Sequence, residues 1–143
     1  MSKVNKILLP MDGSEASFKT ARYAIALASR INASIVILHV ISIPQFPRYL
    51  RSIDEYYKNA RKEAENWFDM IKNFPQSKSL EIKTRVIAGV ISVVESIVEY
   101  ADNENVDLII IGTRGRSRFT KLLLGSVASG VVTHAKCPVL VVK

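Results

Sequence analysis

The chain has 143 residues, 48% of them hydrophobic, a net charge of +7 and a single cysteine. That length and apolar share suit one globular domain spanning residues 1–143. No apolar run reaches the roughly 18 residues of a membrane span, and one cysteine excludes an internal disulfide framework.

The opening MSKVNKILLP has too short an apolar stretch, and no small-residue cleavage pattern, to read as a signal peptide. With a lone thiol this fits a reducing compartment, so a cytoplasmic location is expected. The excess of base fits either anionic partners or solubility alone. It is concentrated late in the chain: from Thr113 onward there are six positive residues and no acidic one.

VNKILLP (4–10) reads as the first strand. Asp12-Gly13 follows as a turn. Ser14 then N-caps a helix to Ile31, in which Ala21, Ala24, Ile25 and Ala28 recur at i, i+3, i+4 and i+7. ASIVILHV (33–40) is the second strand. Its nearly continuous apolar run suits a strand covered on both faces. ISIPQFPRYL (41–50), with two prolines, is too irregular for a tight connection and reads as a lid or binding loop.

From about Arg51 to Phe74, Tyr57, Ala60, Ala64, Trp67, Phe68 and Ile71 form one helical stripe, read as core rather than as a ligand-contacting set. LEIKTRVIA (80–88) is a third strand. A third helix starts at Ser92, with Val94, Ile97, Val98 and Ala101 on one face. VDLIIIG (106–112) is the fourth strand. After GTRGRSRFTKLLLGS (112–126), Ser126 is expected to N-cap a last helix that turns Val127, Ala128, Val131, Val132 and Ala135 inward. CPVLVV (137–142) is the last strand. Strict alternation of strand and helix predicts an α/β fold, a five-stranded parallel sheet flanked by helices on both faces.

The stretch 112–126 holds three of the six glycines and four positive charges. In open α/β sheets ligands bind beyond the carboxyl ends of the strands, and this loop leaves such an end. A helix N-terminus offers unpaired N–H groups to a phosphate, and Gly115 permits close approach of backbone to ligand. The residues therefore suggest a two-sided phosphate cradle, 112–116 on one side and 125–127 on the other. Neither Gly-x4-Gly-Lys-Ser/Thr nor Gly-x-Gly-x-x-Gly occurs in the chain.

Gly112-x2-Gly115-x9-Gly125-Ser126 resembles the ATP-binding signature of the universal stress protein family. KILLPMDGSEAS (6–17), VDLIIIGTRG and KCPVLVV are similar to that family's first, fourth and fifth strands, so the likeness covers nearly the whole chain. It implies a Rossmann-like parallel sheet, binding of ATP or another adenine nucleotide with Mg²⁺ carried in by the phosphates, and a homodimer. By the same resemblance Asp12 contacts the ribose or the phosphates, and Val40 meets adenine through its backbone. Gly112, Gly115, Gly125 and Ser126 hold the phosphates. Pro10 and Met11 beside Asp12, Arg114 and Arg116 beside Gly115, and Val127 beside Ser126 complete the expected binding set. If the family's sheet order holds, residues 138–142 form an edge strand that pairs with a symmetry mate.

One departure is Gly89-Val-Ile-Ser-Val-Val, which lacks the proline that family members often carry there. His39 and His134 have no partner at ligand spacing, so no metal site is expected. Cys137 reads as a small buried hydrophobe. The absence of Gly-x-Ser-x-Gly argues against a hydrolase built on Ser126 and His134. The implied function is a nucleotide-dependent regulatory or stress-response protein, at most a weak ATPase. Two other readings compete with it: a nucleic-acid module using the basic Gly-x-x-Gly loop, which strand–loop–helix order argues against, and a nucleotide-free structural adaptor.

Overall fold

The computed structural model describes residues 3–42, 50–89, 91–113 and 124–143. The elements follow in the expected alternation: β1 (Lys6–Pro10), α1 (Glu15–Ile31), β2 (Ser34–Ser42), α2 (Leu50–Lys72), a 3-10 turn (Pro75–Ser79), β3 (Ile82–Gly89), α3 (Val93–Asn103), β4 (Leu108–Gly112), α4 (Ser126–His134) and β5 (Val139–Val142). The five strands are all parallel, in the order β3-β2-β1-β4-β5. This is the α/β architecture the alternation predicts. β5 is an edge strand, and the strand order reverses between β1 and β4, which opens a crevice at their carboxyl ends.

Two cores explain the continuous apolar strands. Successive β residues point to opposite faces. Ile35 and Ile37 of β2 pack on one side with Ala21, Ala24, Ile25 and Ala28 of α1 and with Ala64, Trp67, Phe68 and Ile71 of α2. Val36, Leu38 and Val40 pack on the other side with Ile97 and Ala101 of α3 and with Ala128 and Val131 of α4. Burying a Leu or Ile side chain contributes roughly 1.5–3 kcal/mol, so both faces of β2 from Ile35 to Leu38 favour apolar residues. Among the described residues no helix is long and apolar enough to cross a membrane.

The helix starts are chemically specific. Ser14 Oγ accepts from the Ser17 amide at 3.1 Å, and Ser92 Oγ accepts from the Glu95 amide at 2.9 Å. The serine at 92 thus defines the entry of α3 without the missing proline.

α4 differs from expectation. Ser126 is its first helical residue, and the N-cap is Gly125, extended at φ −62°, ψ 161°. The cap position falls there because the Gly125 carbonyl accepts the first helical bond, from Ser129 N at 2.9 Å. Val132, expected inside, is 45% exposed, which narrows the buried stripe of α4 to Ala128 and Val131. Phe74 lies beyond the end of α2 yet still packs against the first core.

Candidate functional site

β1, β2 and β4 deliver their carboxyl ends to one cleft of about 590 Å³. Pro10, Met11, Asp12, Val40, Gly112, Gly125, Ser126 and Val127 all line it. The structure thus brings together eight of the eleven residues expected in the binding set. The other three, Arg114, Gly115 and Arg116, lie outside the described residues, as does most of the 41–50 segment.

At the β1 end the backbone is held firmly. Met11 N donates to the Leu38 carbonyl at 2.9 Å. Asp12 Oδ1 then accepts from Ser14 N at 2.9 Å, an Asx turn that leads into α1. Gly13 takes φ +81°, a left-handed conformation suited to glycine. Asp12 therefore serves the turn and lines the cleft at once.

At the β4 end Gly112 and Thr113 enter the cleft. Thr113 N donates to the Val142 carbonyl at 3.0 Å, and Gly125 N donates to the Thr113 carbonyl at 2.6 Å. These bonds bring the two ends of the glycine-rich stretch together. Gly125 provides no side-chain cap, so among the described residues no side chain caps the first-turn N–H groups of α4, whose donors and partial positive charge suit an anion.

The cleft has two unlike walls. On the α3–α4 side Val40, Val93, Ile97, Ile111 and Ala128 make it apolar. On the other side α2 presents Tyr56, Asn59, Ala60, Glu63 and Trp67. His39, on the α2 face of β2, pairs its Nδ1 with the Met11 carbonyl at 2.9 Å. Its ring meets Trp67 edge-on, with centroids 4.9 Å apart.

The α2 wall is hidden in the sequence, where the whole stripe reads as core. Only its second half is fully buried: Ala64, Trp67, Phe68 and Ile71 are buried, whereas Tyr57 and Ala60 are half-buried and Tyr56, beside the stripe, is exposed. The signal was present. Residues 56, 59 and 63 continue the spacing of Trp67 but are polar, which marks where a helix leaves a core and begins to line something else.

His134 is exposed at the end of α4, and among the described residues no group of three or more His, Cys, Asp or Glu side chains is placed to hold a metal ion. Cys137 is half-buried at the amino end of β5, in a second hollow shared with Asp102, Asn105, Asp107 and Lys136. Burial pushes its thiol pKa up. Asp107 in that hollow is structural: its Oδ2 accepts from the amides of Asn5 and Lys6, both at 2.9 Å.

Comparison with known proteins places this geometry. Residues 3–143 match the model of the universal stress protein family. Universal stress protein MJ0531 of Methanocaldococcus jannaschii is 34% identical over 143 residues, covering 96% of this chain and 81% of the relative. Universal stress protein YxiE of Bacillus subtilis is 31% identical over 150 residues, covering 97% and 99%. Among solved structures, protein MJ0577 superposes with a TM-score of 0.87 at 30% identity, over 99% of this chain and 97% of that one. A universal stress protein in complex with cAMP superposes with a TM-score of 0.65 at 28% identity, over 99% and 98%. With the family match running from the third residue to the last, and its sheet and helices in the order the sequence implied, the chain belongs to the universal stress protein family.

Proposed function

We propose that the chain, acting as a single domain over residues 1–143, binds an adenine nucleotide, ATP foremost, and uses occupancy of the cleft to regulate a cytoplasmic stress response. The observation that carries this reading is the convergence of the β1, β2 and β4 ends with the side-chain-free N-terminus of α4 on one cleft. A family relative solved with cAMP supports the adenine class.

In this reading the base rests against the apolar wall, with the Val40 backbone reading its edge. The phosphates meet Gly112, Thr113 and the first turn of α4, where aligned N–H groups favour negative charge. Ser126, exposed at the first helical position, adds a hydroxyl. Arg114, Gly115 and Arg116 close the phosphate side by family resemblance. Asp12 faces the ribose or the phosphates.

Mg²⁺ would enter with the phosphates and neutralise part of their charge, and Asp12 is the carboxylate suited to hold it. Asp12 already accepts a turn hydrogen bond, which fits a positioning role and at most slow hydrolysis. The chain leaves β4 straight into the glycine-rich stretch and returns as a helix, unlike the helix–loop–helix setting of a nucleic-acid Gly-x-x-Gly clamp, so nucleic acid is not favoured.

The edge position of β5 supports a homodimer in which residues 138–142 pair antiparallel with their symmetry mates. Calorimetric titration with Mg-ATP tests the nucleotide. One saturable site per chain is expected, and no heat of binding at millimolar ATP would overturn the proposal.

A further inference from the structure

α2 gives the cleft a chemistry that phosphate binding does not explain. Asn59 and Glu63 line the cleft one helical turn apart, between Tyr56 and Trp67. Both are exposed, and among the described residues neither side chain takes part in a hydrogen bond or ion pair. Glu65, two positions on and absent from the cleft lining, is by contrast paired with Arg61 at 3.7 Å. With Asp12 the carboxylate assigned to Mg²⁺, a second carboxylate without a cation would repel the phosphates, so Glu63 belongs with an uncharged part of the ligand.

The layout says which part. The phosphate end lies at β4 and α4. The apolar wall that receives the base lies on the α3–α4 face of the sheet, and α2 lies on the opposite face. Between base and phosphates sits the sugar, over the end of β1. There Gly13 follows Asp12, and Gly13 packs directly on Trp67, so closely that a Cβ at position 13 would overlap the indole. Glu63 is one turn before Trp67 on the same stripe, so α2 flanks the place of the sugar. An ionised carboxylate only accepts hydrogen bonds, and the donors a sugar offers are its hydroxyls.

Resting on the nucleotide reading above, we infer that Glu63 is a specificity-determining residue. It accepts hydrogen bonds from the 2′- and 3′-hydroxyls of the ligand and so selects ribonucleotides over deoxyribonucleotides.

The test compares ATP, 2′-deoxy-ATP and 3′-deoxy-ATP by calorimetry on the full chain, in wild type, Glu63→Gln and Glu65→Gln. The two variants remove the same charge from the same helix, so any general electrostatic gain for anions appears in both. Wild type should bind ATP at least about tenfold more tightly than one or both deoxy analogues, the scale of a hydrogen bond to a charged group. Glu63→Gln should shrink that ratio to below about threefold, and Glu65→Gln should keep it. Equal wild-type affinity for all three ligands would overturn the inference and leave nucleotide binding standing. A ratio that survives Glu63→Gln would also overturn it. Failure of wild type to bind ATP at all would overturn this inference together with the nucleotide reading.

Discussion

The amide of Gly125 donates to the carbonyl of Thr113 at 2.6 Å. One short bond thus ties the exit of β4 to the entry of α4. The N-cap before the helix then carries no side chain, so Gly125 itself cannot cap the first-turn amides.

Gly125→Ser tests that arrangement. The backbone at φ −62°, ψ 161° is ordinary for any L-residue, so the variant should fold. A serine at the cap position would bond the first-turn amides itself and raise stability by a few tenths of a kcal/mol. The same bond would compete with phosphate, so ATP should bind more weakly while urea denaturation reports a slightly more stable protein. Tighter ATP binding would contradict the assignment of those amides to the ligand.

Ser126→Ala separates a helix role from a ligand role. Because Gly125 occupies the cap position, Ser126→Ala should change stability by less than about 0.5 kcal/mol. Loss of a hydroxyl contact should weaken ATP binding by about 0.5–1.5 kcal/mol. A stability loss of 1 kcal/mol or more in chemical denaturation would restore a capping role to the serine.

Gly13→Ala should be severe. The residue sits at φ +81°, and its added carbon would collide with Trp67. The left-handed conformation costs about 1–2 kcal/mol for a residue with a Cβ, and overpacking adds about 1–3 kcal/mol. The expected destabilisation is about 2–5 kcal/mol, measured by urea unfolding. A neutral result would mean that α2 moves aside freely.

Val141→Lys addresses assembly. β5 lies at the sheet edge, and Val139–Val142 are only half-buried in the single chain. Pairing through this strand would place the two introduced lysines near a two-fold axis, so the variant should dissociate at concentrations where wild type is dimeric. Sedimentation equilibrium decides it. A monomeric wild type at tens of micromolar, or a Val141→Lys dimer as tight as wild type, would refute the β5 interface.

The thiol of Cys137 has a pKa raised chiefly by burial. The folded state therefore holds its proton to higher pH than the unfolded chain, whose thiol ionises near about 8.5. The stability tied to this group is fully present below that value and is lost as pH rises through the folded one. Cys137→Ala should flatten the alkaline side of the stability–pH profile, and alkylation of the native thiol should be slow at pH 8 and faster at higher pH. Brisk alkylation at pH 7 would contradict the burial effect.

The fold was legible because its strongest signals are local. The spacing of Ala21, Ala24, Ile25 and Ala28 can only be one face of a helix, and the unbroken run in 33–40 needs cover on both sides. The start of α4 was misplaced by one residue because Ser is the commoner cap, and only the backbone dihedrals reveal that Gly125 holds that position. The periodicity of Val132 predicts an inward position, but α4 has only nine residues, too short a helix to bury a wide stripe. Asn59 and Glu63 stayed hidden for a different reason. Polar residues on a helix read as solvated until the sheet edge across from them is known. His39 likewise gains meaning from the Met11 carbonyl and Trp67, which lie far from it in sequence.

The chain contains one tryptophan and one cysteine. Trp67 lines the cleft at the carboxyl edge of the sheet, and Cys137 sits in the hollow at its amino edge. Native composition therefore provides one fluorophore and one attachment point at opposite ends of the same β-layer. With an acceptor dye on Cys137, energy transfer from the indole becomes an optical ruler across the protein. Movement of α2 towards or away from the sheet would alter the transfer, whereas a ligand that only changes the surroundings of Trp67 would alter its emission with dye or without it.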